Sequence, residues 1–248
     1  MGNSLSFDGT DLSQYGLTIA KRGMPLEFTA ESVQLQHKAY ANSSLIIPKV
    51  IGLDISVLGA SLAELKTNLD SIKQILGNRD DAKLILDSLT DRYWWARFQS
   101  LTGVISSLAF MGYLTFIAYD SFAYDVDETT HTYDAGDFLA DPQTLILSVG
   151  GTTRTEPLYT FTAGEALNAI ALKLKNLDTD MELQWEGSLA NTDTLKVNVA
   201  SWVVLKNDVE DMAISGAFPY LIPGSNSIKI TAFGTSSALT VVYRKRYL

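Results

Sequence analysis

Phe218-Pro219-Tyr220-Leu221-Ile222-Pro223-Gly224-Ser225-Asn226, running on into Ile228-Lys229-Ile230, is the stretch that decides how this chain folds. Pro-Gly is turn chemistry, because proline presets φ and glycine supplies conformations that other residues avoid. A strand follows the turn. The chain then ends on Leu239-Thr240-Val241-Val242-Tyr243-Arg244-Lys245-Arg246-Tyr247-Leu248, an alternating run that finishes basic and aromatic. Alternation at period two describes a strand with one face buried and one face in water.

Upstream the same pattern repeats. Leu195, Val197 and Val199 alternate with polar residues, and Asn207-Asp208 marks a turn. Met181, Leu183 and Trp185 alternate with Glu182, Gln184 and Glu186. Before the turn Asp178-Thr179-Asp180, Ile170, Leu172 and Leu174 alternate with Ala171, Lys173 and Lys175. Short, regularly spaced strands with one apolar face predict an antiparallel β-sandwich over residues 145–248. Residues 125–143 are acidic, turn-rich and weakly periodic, so the domain boundary is placed there. The expected division is 1–130, a linker at 131–144, and 145–248.

The first part reads as mostly β with one main helix. Phe7-Asp8-Gly9-Thr10 is an Asp-Gly hairpin turn, and a second capped turn leads to Leu17-Thr18-Ile19. Val33-Gln34-Leu35-Gln36 alternates, and Leu45 to Leu58 is a strand with Ile51, Leu53, Ile55 and Val57 on one face. Ser61 as N-cap with Glu64 three residues on is a capping-box pattern. Leu62, Leu65, Leu69, Ile72 and Leu76 form one apolar stripe, and Gly77 stands where a left-handed C′ residue is expected. Strands follow at 83–86, 92–98 and 112–120, with a turn at 87–91. Trp94 and Trp95 are adjacent on a strand, so they point to opposite faces. The expectation is that both faces are covered, one by the helix and the other by a partner subunit.

Composition narrows function. The hydrophobic fraction of 46% with 19% charged residues is that of a chain with a packed core. A net charge of −9, with Arg244-Lys245-Arg246 the one dense basic run, argues against gripping duplex phosphates. The chain has no cysteine, which excludes disulfides and thiolate metal sites. No basic n-region opens it and no run reaches the roughly 20 apolar residues of a membrane span, so neither export nor membrane insertion is expected.

No nucleophile elbow, P-loop, dinucleotide fingerprint or His-Glu-x-x-His is present. His37 and His131 have no acid or nucleophile at a diagnostic spacing and read as structural. Asp125-Val126-Asp127 and Asp178-Thr179-Asp180 do not continue into an EF-hand pattern and read as turns. Alternation puts Trp185 with the core, although Glu182 and Glu186 flank it. Asn42-Ser43-Ser44 matches a glycosylation sequon with no export signal to act on it. The expectation is therefore no enzyme, no cofactor and no metal. Arg244, Lys245 and Arg246 read either as a solvated strand end or as an inter-subunit contact onto an acidic neighbour.

The order of these pieces resembles the distal tail (Dit) proteins of long-tailed, siphophage-type bacteriophages. The resemblance rests on Phe7-Asp8-Gly9 with Leu12-Ser13-Gln14-Tyr15-Gly16, on the helix from Ser61, and on Asp91-Arg92-Tyr93-Trp94-Trp95-Ala96-Arg97. It rests further on Phe116-Ile117-Ala118-Tyr119-Asp120-Ser121-Phe122-Ala123-Tyr124, and on the ending quoted first.

It implies a virion protein of the tail tip, made in the host bacterial cytoplasm. The N-terminal domain would form a homo-hexameric ring around the DNA channel, and a galectin-like sandwich would project from it. The tail tube protein, the tail-associated hub protein and receptor-binding proteins would be its partners. DNA would pass without specific binding, as an acidic wall permits. Tyr93, Trp94, Trp95 and Arg97 are the expected ring interface, since aromatics and arginine favour such contacts. The alternative is a carbohydrate-binding module recognising host saccharide, with Trp202 and Tyr220 its candidate platform residues.

Overall fold

The computed structural model describes residues 4–20, 48–77, 80–138, 140–234 and 236–248. His37, the sequon at 42–44 and the expected strand at 33–36 lie outside the described residues. The chain divides into two compact units, Met1–Val126 and Asp127–Leu248.

In the first unit, β1 (Leu5–Phe7) and β2 (Thr10–Asp11) flank the Asp8-Gly9 turn. Both turn residues have positive φ, 50° and 75°, the geometry that matches the twist of a two-residue hairpin. A 3-10 turn at Leu12–Tyr15, capped by the Asp11 side chain and closed by left-handed Gly16, leads to β3 (Leu17–Ile19). Next come β4 (Lys49–Leu58), α1 (Leu62–Leu76), β5 (Ala82–Leu86), β6 (Leu89–Ser106), β7 (Ala109–Ala118) and β8 (Ala123–Asp125). The strands hydrogen-bond in the order β2-β1-β5-β6-β7-β4-β3, all antiparallel, and β8 adds to the first half of β6.

β6 holds this arrangement together by changing partners. Its first half pairs with β5, and after an irregularity between Phe98 and Ser100 its second half pairs with β7. It runs eight residues past the expected end at Phe98, and it starts at Leu89, inside the expected turn at 87–91. Gln99, Ser100 and Gly103 do not read as strand by propensity. Cross-strand pairing with β7 overrides that preference.

Helix α1 behaves as its sequence indicates at one end and not at the other. The Ser61 hydroxyl accepts from the Glu64 amide at 3.1 Å. The Glu64 carboxylate reaches back one residue further than a standard box, to the Ala60 amide at 2.9 Å. Leu65, Leu69, Ile72 and Leu76 are buried, packing toward β4 and the 12–15 turn. Leu62, the first residue of the stripe, is exposed, because it sits in the first turn before the helix reaches the core. Gly77 is right-handed (φ −70°, ψ −8°) and still donates to Lys73 O, so it ends the helix without reversing it. A Cβ there would come within 2.9 Å of that same carbonyl, so a larger residue would need a small local shift.

The second unit contains β9 (Thr129–Tyr133), β10 (Gln143–Val149), β11 (Leu158–Thr162), β12 (Leu167–Asn176), β13 (Met181–Leu189), β14 (Thr194–Asn198), β15 (Val203–Lys206), β16 (Val209–Glu210), β17 (Ile214–Gly216), β18 (Gly224–Thr231) and β19 (Ala238–Tyr243). One sheet has the order β10-β18-β12-β13-β17, and the other β16-β15-β14-β11-β19-β9. Their inner faces share a single core. Leu147, Leu174, Trp185 and Ile228 come from the first sheet, and Tyr159, Phe161, Val197 and Val241 from the second. This is the antiparallel sandwich the alternation predicted. Part of the expected linker at 131–144 is instead structured. β9 pairs along β19, with Thr132 opposite Thr240, because its alternating Thr, His and Tyr residues complete an otherwise open edge.

Candidate interaction surfaces

The four expected interface residues separate by depth. Trp94 is buried and Trp95 is 39% exposed, so the pair does point to opposite faces. The Trp94 indole lies under the Lys49 ammonium, 5.5 Å from the ring centre. Burial holds that lysine below its ordinary pKa. On the other face Tyr93 is buried, stacked on Tyr124 at 5.6 Å and edge-on to Trp95 at 5.6 Å. Lys83 sits over both Tyr93 and Trp95. Arg97 is half-exposed. It donates from Nε to Asp81 at 3.1 Å, and its guanidinium lies 5.5 Å from the Tyr119 ring. Of the four, Trp95 and Arg97 are the two that reach the surface.

A second face with exposed apolar residues, interspersed with Asp54, Ser56 and Thr102, lies on the same unit, where the sequence did not mark it. Along β4, β7 and the second half of β6, Val50, Leu58, Val104, Met111 and Tyr113 are exposed. The registers Val104↔Met111, Thr102↔Tyr113 and Leu58↔Ala109 place these residues on one face of the sheet. Ile51, Leu53, Ile55, Val57, Leu114 and Phe116 fill the opposite, buried face. The Tyr113 phenol lies across Gly52, where a Cβ would collide with its hydroxyl. The signal available in the sequence was that residues 108–119 are apolar at odd and even positions alike, which a strand with one wet face does not need.

Both arginines of the basic ending pair with acids of the second unit. Arg246 donates to Glu156 at 2.7 Å in a largely buried pair, and Arg244 donates to Glu128 at 3.1 Å. The Arg246 carbonyl accepts from the Thr152 amide at 2.9 Å. The aliphatic stem of Lys245 packs where a Cβ of Gly150 would be. His131 stacks on Tyr243, ring centres 5.9 Å apart, and its Nε2 is 3.3 Å from the phenol oxygen. Burial raises the pKa of Tyr243 above the usual phenol value.

The acidic turns hold no converging set of ligands. Asp178 accepts from the Ser227 amide, whereas Asp180 pairs with Lys175 at 2.7 Å, which holds the Asp180 carboxyl below its ordinary range. Among the described residues no group of three or more His, Cys, Asp or Glu is arranged to hold a metal ion. A groove of about 370 Å³ on the outer face of β12, β13 and β18 is lined by Lys173, Lys175, Leu177, Glu182, Lys229 and Thr231. Glu182 is shared between Lys173 and Lys175, at 3.8 and 4.0 Å, and Lys175 also holds Asp180. Trp185 is core, as its alternation indicated.

These features define a class first: a two-unit, β-rich fold with exposed apolar side chains on the sheet of its first unit and an antiparallel sandwich as its second. The family model described as a siphovirus-type tail component, C-terminal domain, matches residues 150–247. That match covers the second unit, whose sequence is thus similar to the C-terminal domain of siphovirus-type tail components. The crystal structure of the phage SPP1 Dit protein, described as a paradigm of the hub adsorption apparatus in phages infecting Gram-positive bacteria, superposes with a TM-score of 0.78 at 16% identity. That likeness covers 100% of both chains. A chain of the phage P2 baseplate in its Ca-activated conformation covers 98% of both chains, at 9% identity and a TM-score of 0.45. No curated protein sequence matches this chain.

Proposed function

We propose that the protein is the distal tail hub of a siphophage-type virion, a structural ring at the tail tip that joins the tail tube to the adsorption apparatus. The observation that carries this reading is the combination of a C-terminal tail-component domain with a Dit fold along the entire chain. In this reading the first unit closes into a homo-hexameric ring around the DNA channel. The tail-associated hub protein and receptor-binding proteins attach beyond it, and the protein is made in the host cytoplasm before assembly. No catalytic role is assigned.

The exposed face of Val50, Leu58, Val104, Met111 and Tyr113 supports a subunit interface, because a surface of that kind is retained where it is later covered. Trp95 and Arg97 are the surface members of the sequence-derived interface set. A net charge of −9 on each copy suits a conduit that repels phosphate instead of holding it. The two-sheet architecture of the second unit supports the galectin-like expectation.

The test is localisation in assembled particles. Antibodies to the chain should decorate the tail end distal to the capsid in electron micrographs of intact virions. Decoration along the tube, or on the capsid, would contradict a hub.

A further inference from the structure

Three connections of the second unit meet at one end of its sandwich. The registers Leu158↔Asn198 and Val149↔Gly224, with the bridge Thr155↔Leu221, bring residues 150–157, 199–202 and 217–223 side by side. Loops gathered at the end of a rigid sandwich are a recurrent place for recognition.

Trp202 stands on this end under two local penalties. It is 73% exposed, so its indole forgoes burial. Its backbone is left-handed, at φ +61°, which is an outlier for a bulky residue and costs on the order of 1–3 kcal/mol. The loop holding it is nonetheless fixed, since Asn198 Oδ1 accepts from the amides of Ala200 and Ser201 at 3.1 and 3.2 Å. Residues that break local rules inside a well-determined frame mark functional positions.

The neighbours complete a strip. The Trp202 ring lies 6.0 Å from that of Phe218. Two residues on, Tyr220 carries the Arg154 guanidinium at 5.1 Å from its ring. The loop beneath is locked by two fully buried asparagines. Asn176 donates to Tyr220 O at 2.8 Å, and Asn226 exchanges hydrogen bonds with the backbone of Ile222 at 2.9 and 2.7 Å. The platform is therefore preorganised, which spares a ligand the ordering penalty.

The size and chemistry of the strip select the occupant. One exposed indole with a half-buried phenyl beside it offers a few hundred Å², far below the roughly 800 Å² per partner of a stable protein interface. It matches the flat C–H face of a pyranose ring. Arg154 supplies donors at the edge for sugar hydroxyls. We propose that Trp202, backed by Phe218 and flanked by Arg154 on Tyr220, is a binding platform for a neutral pyranose oligosaccharide. This inference is independent of the hub reading.

The test uses the full chain on an array of immobilised neutral hexose and N-acetylhexosamine oligomers. The native protein should be retained by at least one of them. Trp202→Gly should lose that retention tenfold or more while melting at the same temperature or higher, since glycine relieves the left-handed strain. Trp202→Tyr should keep most of the binding, and Arg154→Ala should weaken it. Retention of no oligomer by the native chain overturns the proposal, as does a Trp202→Gly variant that binds unchanged. A Trp202→Gly variant that changes oligomer size with no effect on glycan binding reassigns the residue to a protein contact and overturns it equally.

Discussion

Replacing Asn226 with alanine should unfold the second unit far more easily than any surface change, and the structure sets the size of the effect. The side chain is fully buried. Its Oδ1 accepts from Ile222 N at 2.9 Å and Asn176 Nδ2 at 3.1 Å, and its Nδ2 donates to Ile222 O at 2.7 Å and Gly224 O at 3.3 Å. Three of these four are of good length, each contributing about 0.5–1.5 kcal/mol net. The Ile222 backbone groups would lose both partners. Asn176 would keep Tyr220 O, which limits the loss on that side. The expected destabilisation is about 2–4 kcal/mol, or a fall in melting temperature on the order of 10 °C for a unit of this size.

Differential scanning calorimetry of the full chain reads this, with the transition of the second unit shifting and that of the first staying in place. Asn226→Asp adds a sign. Burial raises the folded-state pKa of the new carboxyl above its unfolded value, so its contribution is best preserved at low pH and is lost as pH rises. That variant should therefore be closer to native at pH 4 than at pH 7. A loss below about 0.5 kcal/mol for Asn226→Ala, or an Asp variant more native-like at pH 7, would refute the network argument.

Other outcomes follow from single residues. Gly187→Ala places a methyl inside the buried Trp185 indole and should cost about 1–3 kcal/mol by overpacking, read by urea titration; an unchanged midpoint would mean the indole can move aside. Ser61→Ala removes the acceptor of the Glu64 amide and should cost about 1 kcal/mol, seen as a lower denaturation midpoint of the first unit. Burial pushes the Tyr159 phenol far above the ordinary value, with its hydroxyl donating to Pro219 O at 3.3 Å. A raised folded pKa gives stability that is fully present below the unfolded pKa, near 10, and is lost as pH rises past it. Tyr159→Phe should flatten that alkaline decline, and an unchanged slope would assign the decline to other tyrosines.

The parts of the fold legible in the sequence are those set by periodicity and local chemistry. The stripe Leu65-Leu69-Ile72-Leu76 and the Ser61 cap fix α1 because 3.6-residue spacing and an orphan amide are local facts. The alternations at 181–185 and 195–199 fix strands and their buried faces for the same reason. Long-range pairing is not written locally. The second half of β6 is strand because β7 lies beside it, and β9 is strand because β19 offers an edge. Gly77 shows that residue type alone does not fix handedness: this glycine ends the helix in a right-handed conformation open to any residue.

Site reading divides in the same way. Trp94 and Trp95 had to face apart, but which one stays wet depends on the packing above each. The open face of Val50, Leu58, Val104, Met111 and Tyr113 was hidden because its members come from three strands that only the register aligns. The two readings of Arg244, Lys245 and Arg246 gain a third, since both arginines pair with acids of their own unit. Trp202 could be named a candidate from its sequence, but its left-handed backbone is visible only in three dimensions.

The central claim is that this chain closes into a ring at the tail tip, and mass-resolved size exclusion followed by negative-stain imaging of the purified protein, with and without tail tube protein, tests it most directly. The account predicts six copies arranged around an open centre, with Val104→Asp and Met111→Asp reducing the particle to monomers that stay folded. A protein that stays monomeric at high concentration even with tube protein added, or an oligomer with a closed centre, would contradict it.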